Sequence, residues 1–399
     1  MIVLKVAQEK LLTALQAVSG IVERRHTLPI LANVLIRKNG PGVEFTASDL
    51  EIQVRTAATF DGDAGALQTT VGARKLIDIL RSLPSDQTVS LTAAQSKLTL
   101  QAGKSRFTLQ TLPADDFPLV QEAADFGPAF AVPQRVLKHL IDQVHFAMAV
   151  HDIRYYLNGI LFVAEGRRLT LVATDGHRLA LAEATLDVEM PKQEVILPRK
   201  TVLELQRLLK EERREAKPRG EDKRPSDDTA PAEGAAAAGT GDTADTIEMR
   251  FAGNQAKFTF SGMEFVTKLV EGKFPDYNRV IPKGHKNSVV LGRAPLLACL
   301  QRAAILTSEK FKGVRLNLEP GSLRIASSNA EQEEAQQELE IDYAGDSIEI
   351  GFNVTYLMDM LANLSTDMVK LELQDANSSA LMSVPDIDGF KYVVMPMRI

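Results

Sequence analysis

Asp175, His177 and Arg178 fall together in Asp175-Gly-His-Arg178, where a turn would bring a carboxylate and an imidazole within hydrogen-bond reach, the start of an acid/base pair. No nucleophile motif accompanies them. The residues also sit between two strand-like runs, where an aspartate bonds its own backbone. Turn chemistry is therefore the expected role, with a hydrolase built on Asp175 and His177 as the rival. The six histidines, His26, His139, His145, His151, His177 and His285, include no zinc-protease pair, and the six-position spacing of His139 and His145 suits no single helix face. The one cysteine, Cys299, excludes an intrachain disulfide framework and a cysteine-rich zinc site. No Gly-rich phosphate loop of the Walker or dinucleotide type is present. The expectation is a protein with no catalysis, metal or cofactor.

The elements that would carry these residues recur. An amphipathic helix leading to a strand is read at 11–18 and 31–36, at 136–146 and 157–162, and at 296–306 and 313–317. A strand-turn-strand with Asp or Asn in the turn follows at 46–54, 172–181 and 325–334. A second helix is read at 73–83, 198–209 and 353–364, and a closing strand at 105–113, 263–270 and 391–397. Phe117-Pro118 and Phe274-Pro275 follow the first two closing strands. Four features in fixed order, three times over, predict an α+β chain of three tandem units, each with two helices on an antiparallel sheet. The units are drawn at 1–127, 128–283 and 284–399.

Residues 210–246 contain no Val, Ile, Leu, Met, Phe, Tyr, Trp or Cys. Such a stretch buries too little apolar surface to offset its ordering entropy, so a disordered insert in the second unit is expected. No apolar run is long enough for a membrane span, and the first residues lack a signal-peptide pattern, which predicts a cytoplasmic location.

The net charge of −6, from 46 Lys and Arg against 52 Asp and Glu, argues against a uniformly basic nucleic-acid coat. Position is more informative. Arg74, Lys75 and Arg81 recur as Arg199, Lys200 and Arg207 on the second helices of units one and two, which predicts a shared basic surface. Six helices at about 10 Å spacing enclose only about 9 Å of free width, whereas twelve leave about 28 Å. Two chains, not one, would ring a duplex, holding phosphates without reading bases. A peptide-binding scaffold that encircles no DNA is the alternative.

Thr27-Leu-Pro-Ile-Leu31, Arg154-Tyr-Tyr-Leu-Asn-Gly159, Ala173-Thr-Asp-Gly-His-Arg-Leu179, Phe274-Pro-Asp-Tyr277, Glu309-Lys-Phe-Lys-Gly-Val-Arg315, Gly351-Phe-Asn-Val354 and Val393-Val-Met-Pro-Met-Arg-Ile399 together resemble the bacterial sliding clamp family, the beta subunit of the DNA polymerase III holoenzyme. The resemblance covers nearly all of the chain outside the insert. It implies a head-to-tail homodimeric ring of six units around duplex DNA, a processivity factor rather than an enzyme. Its implied partners are the replicative polymerase, the clamp loader and repair proteins.

It further implies a peptide pocket between units two and three. Position by position, the pocket is expected from Leu157, Thr174, Gly176, His177, Arg178, Leu179, Pro275, Arg279, Val280, Asn353, Tyr356, Ser379, Val393, Val394, Met395, Pro396, Met397 and Arg398. The implied DNA contacts are Arg25, His151, Tyr155, Tyr156, Arg199 and Lys200. The implied dimer join sets Lys104, Arg106, Phe107 and Leu109 against Ile305, Leu306, Glu331, Glu333 and Glu334. Asn377, the His151 position and the insert depart from the family pattern.

Overall fold

The computed structural model describes residues 1–22, 28–210 and 245–398. Its helices come in three pairs: α1 (Gln8–Ser19) with α2 (Ala73–Arg81), α3 (Gln134–Val144) with α4 (Arg199–Leu208), and α5 (Arg293–Ala304) with α6 (Val354–Asn363). Each helix buries one stripe. In α2 it is Ala73, Leu76, Ile77 and Leu80; in α3 it is Leu137, Leu140, Ile141 and Val144, the spacing that places side chains on one helical face. The opposite face of α2 leaves Arg74, Lys75 and Arg81 exposed. None of the described helices is long and apolar enough to cross a membrane.

Around each pair the strands are antiparallel, and the three meanders merge. A twelve-stranded sheet joins the first unit to the second, and a six-stranded sheet joins the second to the third. At the first seam the strand Ile52–Thr59 pairs with Met263–Lys268, setting Gln53 opposite Val266 and Val54 opposite Phe265. At the second seam Arg178–Pro198 pairs with Ile387–Val394, setting Leu179 opposite Val393 and Ala180 opposite Tyr392. Both seams thus pair the strand after the Asp turn of one unit with the closing strand of the next.

Among the described strands, the two that correspond to the seam strands have a bare edge. Glu334–Glu340 lies at the end of the remaining four-stranded sheet. Ser105–Leu112 pairs fully with Lys97–Ala102 but meets Ala66–Gly72 only at Thr111 and Leu112. These are the Asp-turn strand of the third unit and the closing strand of the first.

The helices run in one row, α2, α1, α4, α3, α6, α5. At the first seam Arg207 on α4 donates to the carbonyls of Gln16 and Ala17 at the end of α1, at 3.1 and 3.3 Å, satisfying acceptors that a helix C-terminus leaves open. At the second seam α3 packs on α6.

Local sequence shifts several of the expected boundaries. Pro29 opens a short 3-10 turn, Pro29–Ala32, so the strand begins at Asn33, not 31. Pro295 sits in the first turn of α5, where its missing N–H is harmless, so that helix starts at Arg293 and ends before Ile305 and Leu306. The last strand stops at Val394 because Pro396 has no N–H to continue the ladder. Of the expected insert, Lys210 donates its N–H to Gln134 and Thr246 already begins the strand Thr246–Ala252; residues 211–244 lie outside the described residues.

The Asp turns form as expected. Asp49 Oδ1 accepts from the N–H groups of Glu51 and Ile52, Asp175 Oδ1 from His177 and Arg178, and Asn329 Oδ1 from Glu331 and Glu333.

Candidate functional site

At the second seam a small apolar cluster sits on the sheet face away from the helices. Leu157, Val172, Leu179, Leu181, Phe274 and Val393 are among its buried members. The chain end crosses this cluster outside any strand. Met395 N–H donates to His177 O and Met397 N–H to Gly351 O, both at 2.9 Å, holding residues 395–398 between the Asp175 turn and the strand Ile348–Asn353. Met395 is half exposed, Val280 equally so, and Pro275 and His177 are open to solvent. Two methionines and a valine offer soft, adaptable contact area. Thr174 is buried, its Oγ1 donating to Arg178 O at 2.6 Å. Gly176 has φ +90°, and a Cβ there would meet the Arg154 guanidinium at 3.0 Å.

Arg178 ties the seam together. Its guanidinium donates to Asp175 at 3.1 Å, to Asp359 on α6 at 2.7 Å and to Phe146 O at 2.6 Å. It also lies over the Tyr356 ring, 4.4 Å from the centroid. Burial alone would lower its pKa; the Tyr392 hydroxyl and the Asp359 and Asp175 carboxylates outweigh it and raise the value. Burial pushes the Tyr392 phenol up as well, and its hydroxyl donates to Tyr356 O at 2.7 Å. Asp175 thus spends its carboxylate on two backbone N–H groups and Arg178, the work of a turn former that aims an arginine. Asn353, expected in the pocket, caps α6 by accepting from Thr355 N–H. Arg279 is exposed and pairs with Asp276 at 2.9 Å, and Val394 is buried opposite Arg178.

The first seam shows why the second is open. Phe117-Pro118 and Phe274-Pro275 begin connections of equal length to the strands Phe130–Pro133 and Asn287–Gly292. The first connection is bound down: Val120 N–H donates to Gln53, Ala123 N–H to Gln255, and Lys257 donates to Glu122 at 2.9 Å. By strand register the same three places at the second seam hold Leu179, Ser379 and Leu381. Two of the three polar anchors have become leucines, and the second connection is tied down near its far end, where His285 bonds Ser379 O at 2.8 Å and Lys286 N–H donates to Gln374.

Beside the pocket, the 148–158 loop is locked by its own groups. Asp152 accepts from Arg154 through Oδ1 at 3.0 Å and Oδ2 at 2.8 Å, and the Asn158 amide bonds the loop backbone across its neck. The Arg154 hydrogen bonds hold the Asp152 pKa at about 2. The loop presents exposed His151, with φ +56°, and Tyr155, whose ring stands edge-on to Tyr156 at 6.0 Å.

The basic residues divide. Lys75 is exposed, Arg74 donates to Val22 O at 3.2 Å, and Arg81 lies 3.9 Å from Asp78. Lys200 pairs with Asp49 across the first seam, and Arg207 is engaged by Glu204 as well as by α1. Arg199 is half-buried; burial, then the nearby Arg178 charge, lowers its pKa, and its Nη1 has no hydrogen-bond partner among the described residues. Arg25 lies outside the described residues. On the bare edges Lys104, Arg106, Glu331, Glu333 and Glu334 are exposed, Phe107, Leu109 and Leu306 half-buried, and Ile305 is 76% exposed.

Asp359, Gln53 and Gln255 were not singled out by sequence. Each acts only through a partner far along the chain, and no local spacing signals it.

The comparisons with known proteins agree along the whole length. The family models for the N-terminal, central and C-terminal domains of the DNA polymerase III beta subunit match residues 2–121, 131–217 and 278–398. A Pseudomonas aeruginosa beta sliding clamp is 43% identical over 400 residues, 99% of each chain, and the Escherichia coli K12 beta sliding clamp is 39% identical over 397 residues, again 99% of each. Among solved structures, a P. aeruginosa sliding clamp bound to griselimycin is 41% identical, with a TM-score of 0.86 over 100% of both chains. A Caulobacter crescentus beta sliding clamp is 34% identical, with a TM-score of 0.84 over 100% of both.

Proposed function

Because this chain belongs to the DNA polymerase III beta subunit family, the bacterial sliding clamps, we propose that it closes head to tail with a second copy into a ring around duplex DNA. There it tethers the replicative polymerase and other replication and repair proteins through the pocket at the second seam. It works as a processivity factor, with no chemical step of its own. The observation that carries this reading is the strand pairing made twice within the chain, with the matching strands of the third and first units left bare.

Register extends that pairing to the third seam. The pairs Ser48–Gln53, Thr174–Leu179 and Ser328–Glu334 make Gln53, Leu179 and Glu334 equivalent. The pairs Phe260–Met263 and Ala102–Ser105 make Val266 equivalent to Thr108. Glu334 then faces Thr108 of the partner subunit, and Ala335 faces Phe107 of the partner subunit, in the role of Val54 with Phe265 and Ala180 with Tyr392. Leu109 falls toward Ile305 and Leu306. Lys104 and Arg106 approach the Glu331, Glu333 and Glu334 cluster, so charge favours a join between unlike ends. The proposed unit boundaries are 1–127, 128–283 and 284–399.

Closure doubles the helix row from six to twelve, about 28 Å of clear width. The proposed DNA contacts are Arg25, Arg74, Lys75, Arg81, His151, Tyr155, Tyr156, Arg199, Lys200 and Arg207. They hold phosphates, and the ring slides because no contact reads a base. Lys75 and Arg81 have the least competition from protein partners. Each ring carries two copies of both residues, so replacing both with alanine removes four cations and is expected to reduce the slope of log affinity for a short duplex against log salt by up to about 3.6, near 0.9 for each phosphate left without its cation. An unchanged slope in a fluorescence-anisotropy salt titration would remove these residues from the DNA face.

A further inference from the structure

The second seam carries another opening, of about 680 Å³, on the same outer sheet face but farther from the Asp175 turn. Its floor is Val163, Leu181, Tyr277 and Ile281, and Arg167, Arg168 and Lys391 stand on its rim.

The first seam tells what is missing. There Arg55 lies opposite Glu264 and is ion-paired with it, while Glu44 and Glu122 also lie within ion-pair distance of Arg55, and Arg37 approaches Glu44 at 3.8 Å. Matching strand registers put Leu181 in the place of Arg55, Lys391 in that of Glu264, Thr170 in that of Glu44 and Val163 in that of Arg37. Among the described residues the charged network that fills the first seam is absent from the second, and a hollow with an apolar floor, a polar rim and one stranded lysine takes its place.

The rim is unbalanced. Among the described residues no carboxylate lies within ion-pair distance of Arg167, Arg168 or Lys391, whereas Glu165, on the same rim, is paired with Lys192 at 2.9 Å. Glu183 is the remaining acid on the lining. Leu181 is two residues beyond Leu179 on one strand and faces the same way, so a chain leaving the peptide pocket reaches the hollow in about 7 Å, two residues of extended backbone.

We propose that this hollow receives the acidic flank of a partner peptide whose apolar centre occupies the peptide pocket, an apolar side chain entering over Leu181 and Ile281 while carboxylates meet Arg167, Arg168 and Lys391. The inference rests on the pocket reading above and adds the chemistry of the flanking residues. A peptide held at both places gains specificity because a basic flank would meet three unpaired cations.

The test uses the full chain with labelled Ile, Leu and Met methyl groups and two capped heptapeptides. One has a Leu-Phe-Leu centre with two acidic residues on each side; the other has lysines in their place. The acidic peptide is expected to move the Leu181 and Ile281 methyl resonances with at least tenfold higher affinity than the lysine peptide. In R168E/K391E this preference disappears, while Met395 and Met397 still respond, reporting an intact pocket and fold. Equal response to both peptides, or silence at Leu181 and Ile281 while Met395 and Met397 respond, overturns the proposal. So does a short oligonucleotide that moves these methyls more strongly than the acidic peptide. Silence at Met395 and Met397 alone, with Leu181 and Ile281 moved by the acidic peptide, sinks the pocket reading and leaves the hollow as an acidic-peptide site.

Discussion

Truncating Phe107 and Leu109 to alanine is expected to turn the dimer into monomers at micromolar concentration. Both side chains are half-buried within one chain, on a strand paired with Lys97–Ala102 on one side and bare on the other over most of its length. Each ring has two such joins, so the double substitution removes four apolar side chains. At about 1.5 kcal/mol each, the low end for burying a large apolar side chain, the loss is about 6 kcal/mol. That is roughly four decades in the dissociation constant. Sedimentation velocity separates the outcomes: a variant that sediments as a dimer at 1/100 of the wild-type working concentration would contradict the proposed register. Phe107 and Leu109 are only partly buried against the core and are not among its buried members, so the monomer is expected to remain folded.

Arg178→Ala carries the second large effect. The guanidinium has two carboxylates, a backbone carbonyl and an aromatic face as partners, in a side chain only 10% exposed. Removing one member of a buried ion pair typically costs about 3–5 kcal/mol because its partners are left uncompensated. Asp359 is itself 35% exposed, so water relieves part of that penalty and about 3 kcal/mol is the expected loss. The loss falls on the joint between units two and three, so peptide binding is expected to fail with it. Adding Asp359→Asn should recover part of the stability, since one stranded charge is then gone. Chemical denaturation of the single and double variants checks this, and a loss below about 1 kcal/mol for Arg178→Ala would show that the network does not hold the seam.

Both effects reside at seams, where the limits of reading a sequence are visible. The repeat was legible because helix stripes such as Leu76, Ile77 and Leu80, and turns such as Asp49 and Asp175, are local patterns that backbone physics imposes. The bare edges were half legible: Phe107 and Leu109 alternate with polar residues, but only the strand pairing reveals that one side of their strand is bare. Arg178 drew attention as part of a turn, yet its decisive partner, Asp359, lies 181 residues away. Lys200 and Arg207 were read as a basic surface, and each also serves the first seam, through Asp49 and through the end of α1. How much of their charge remains for phosphate depends on contacts that no spacing reveals. The openness of the second seam is likewise a difference between two places in the fold. It becomes visible only when Gln53, Gln255 and Lys257 are set beside Leu179, Ser379 and Leu381.

The central claim is topological: a closed ring around DNA, held by enclosure. It is tested most directly by loading the protein onto a circular duplex, cutting half of the sample once with a restriction enzyme, and measuring retention of protein on both forms by gel filtration at moderate salt. Retention on the circle with rapid loss from the cut molecule is the predicted result, and the Phe107 and Leu109 double variant should be lost from both. Equal retention of the wild-type protein on circular and linear DNA, or equal loss from both, would contradict the ring.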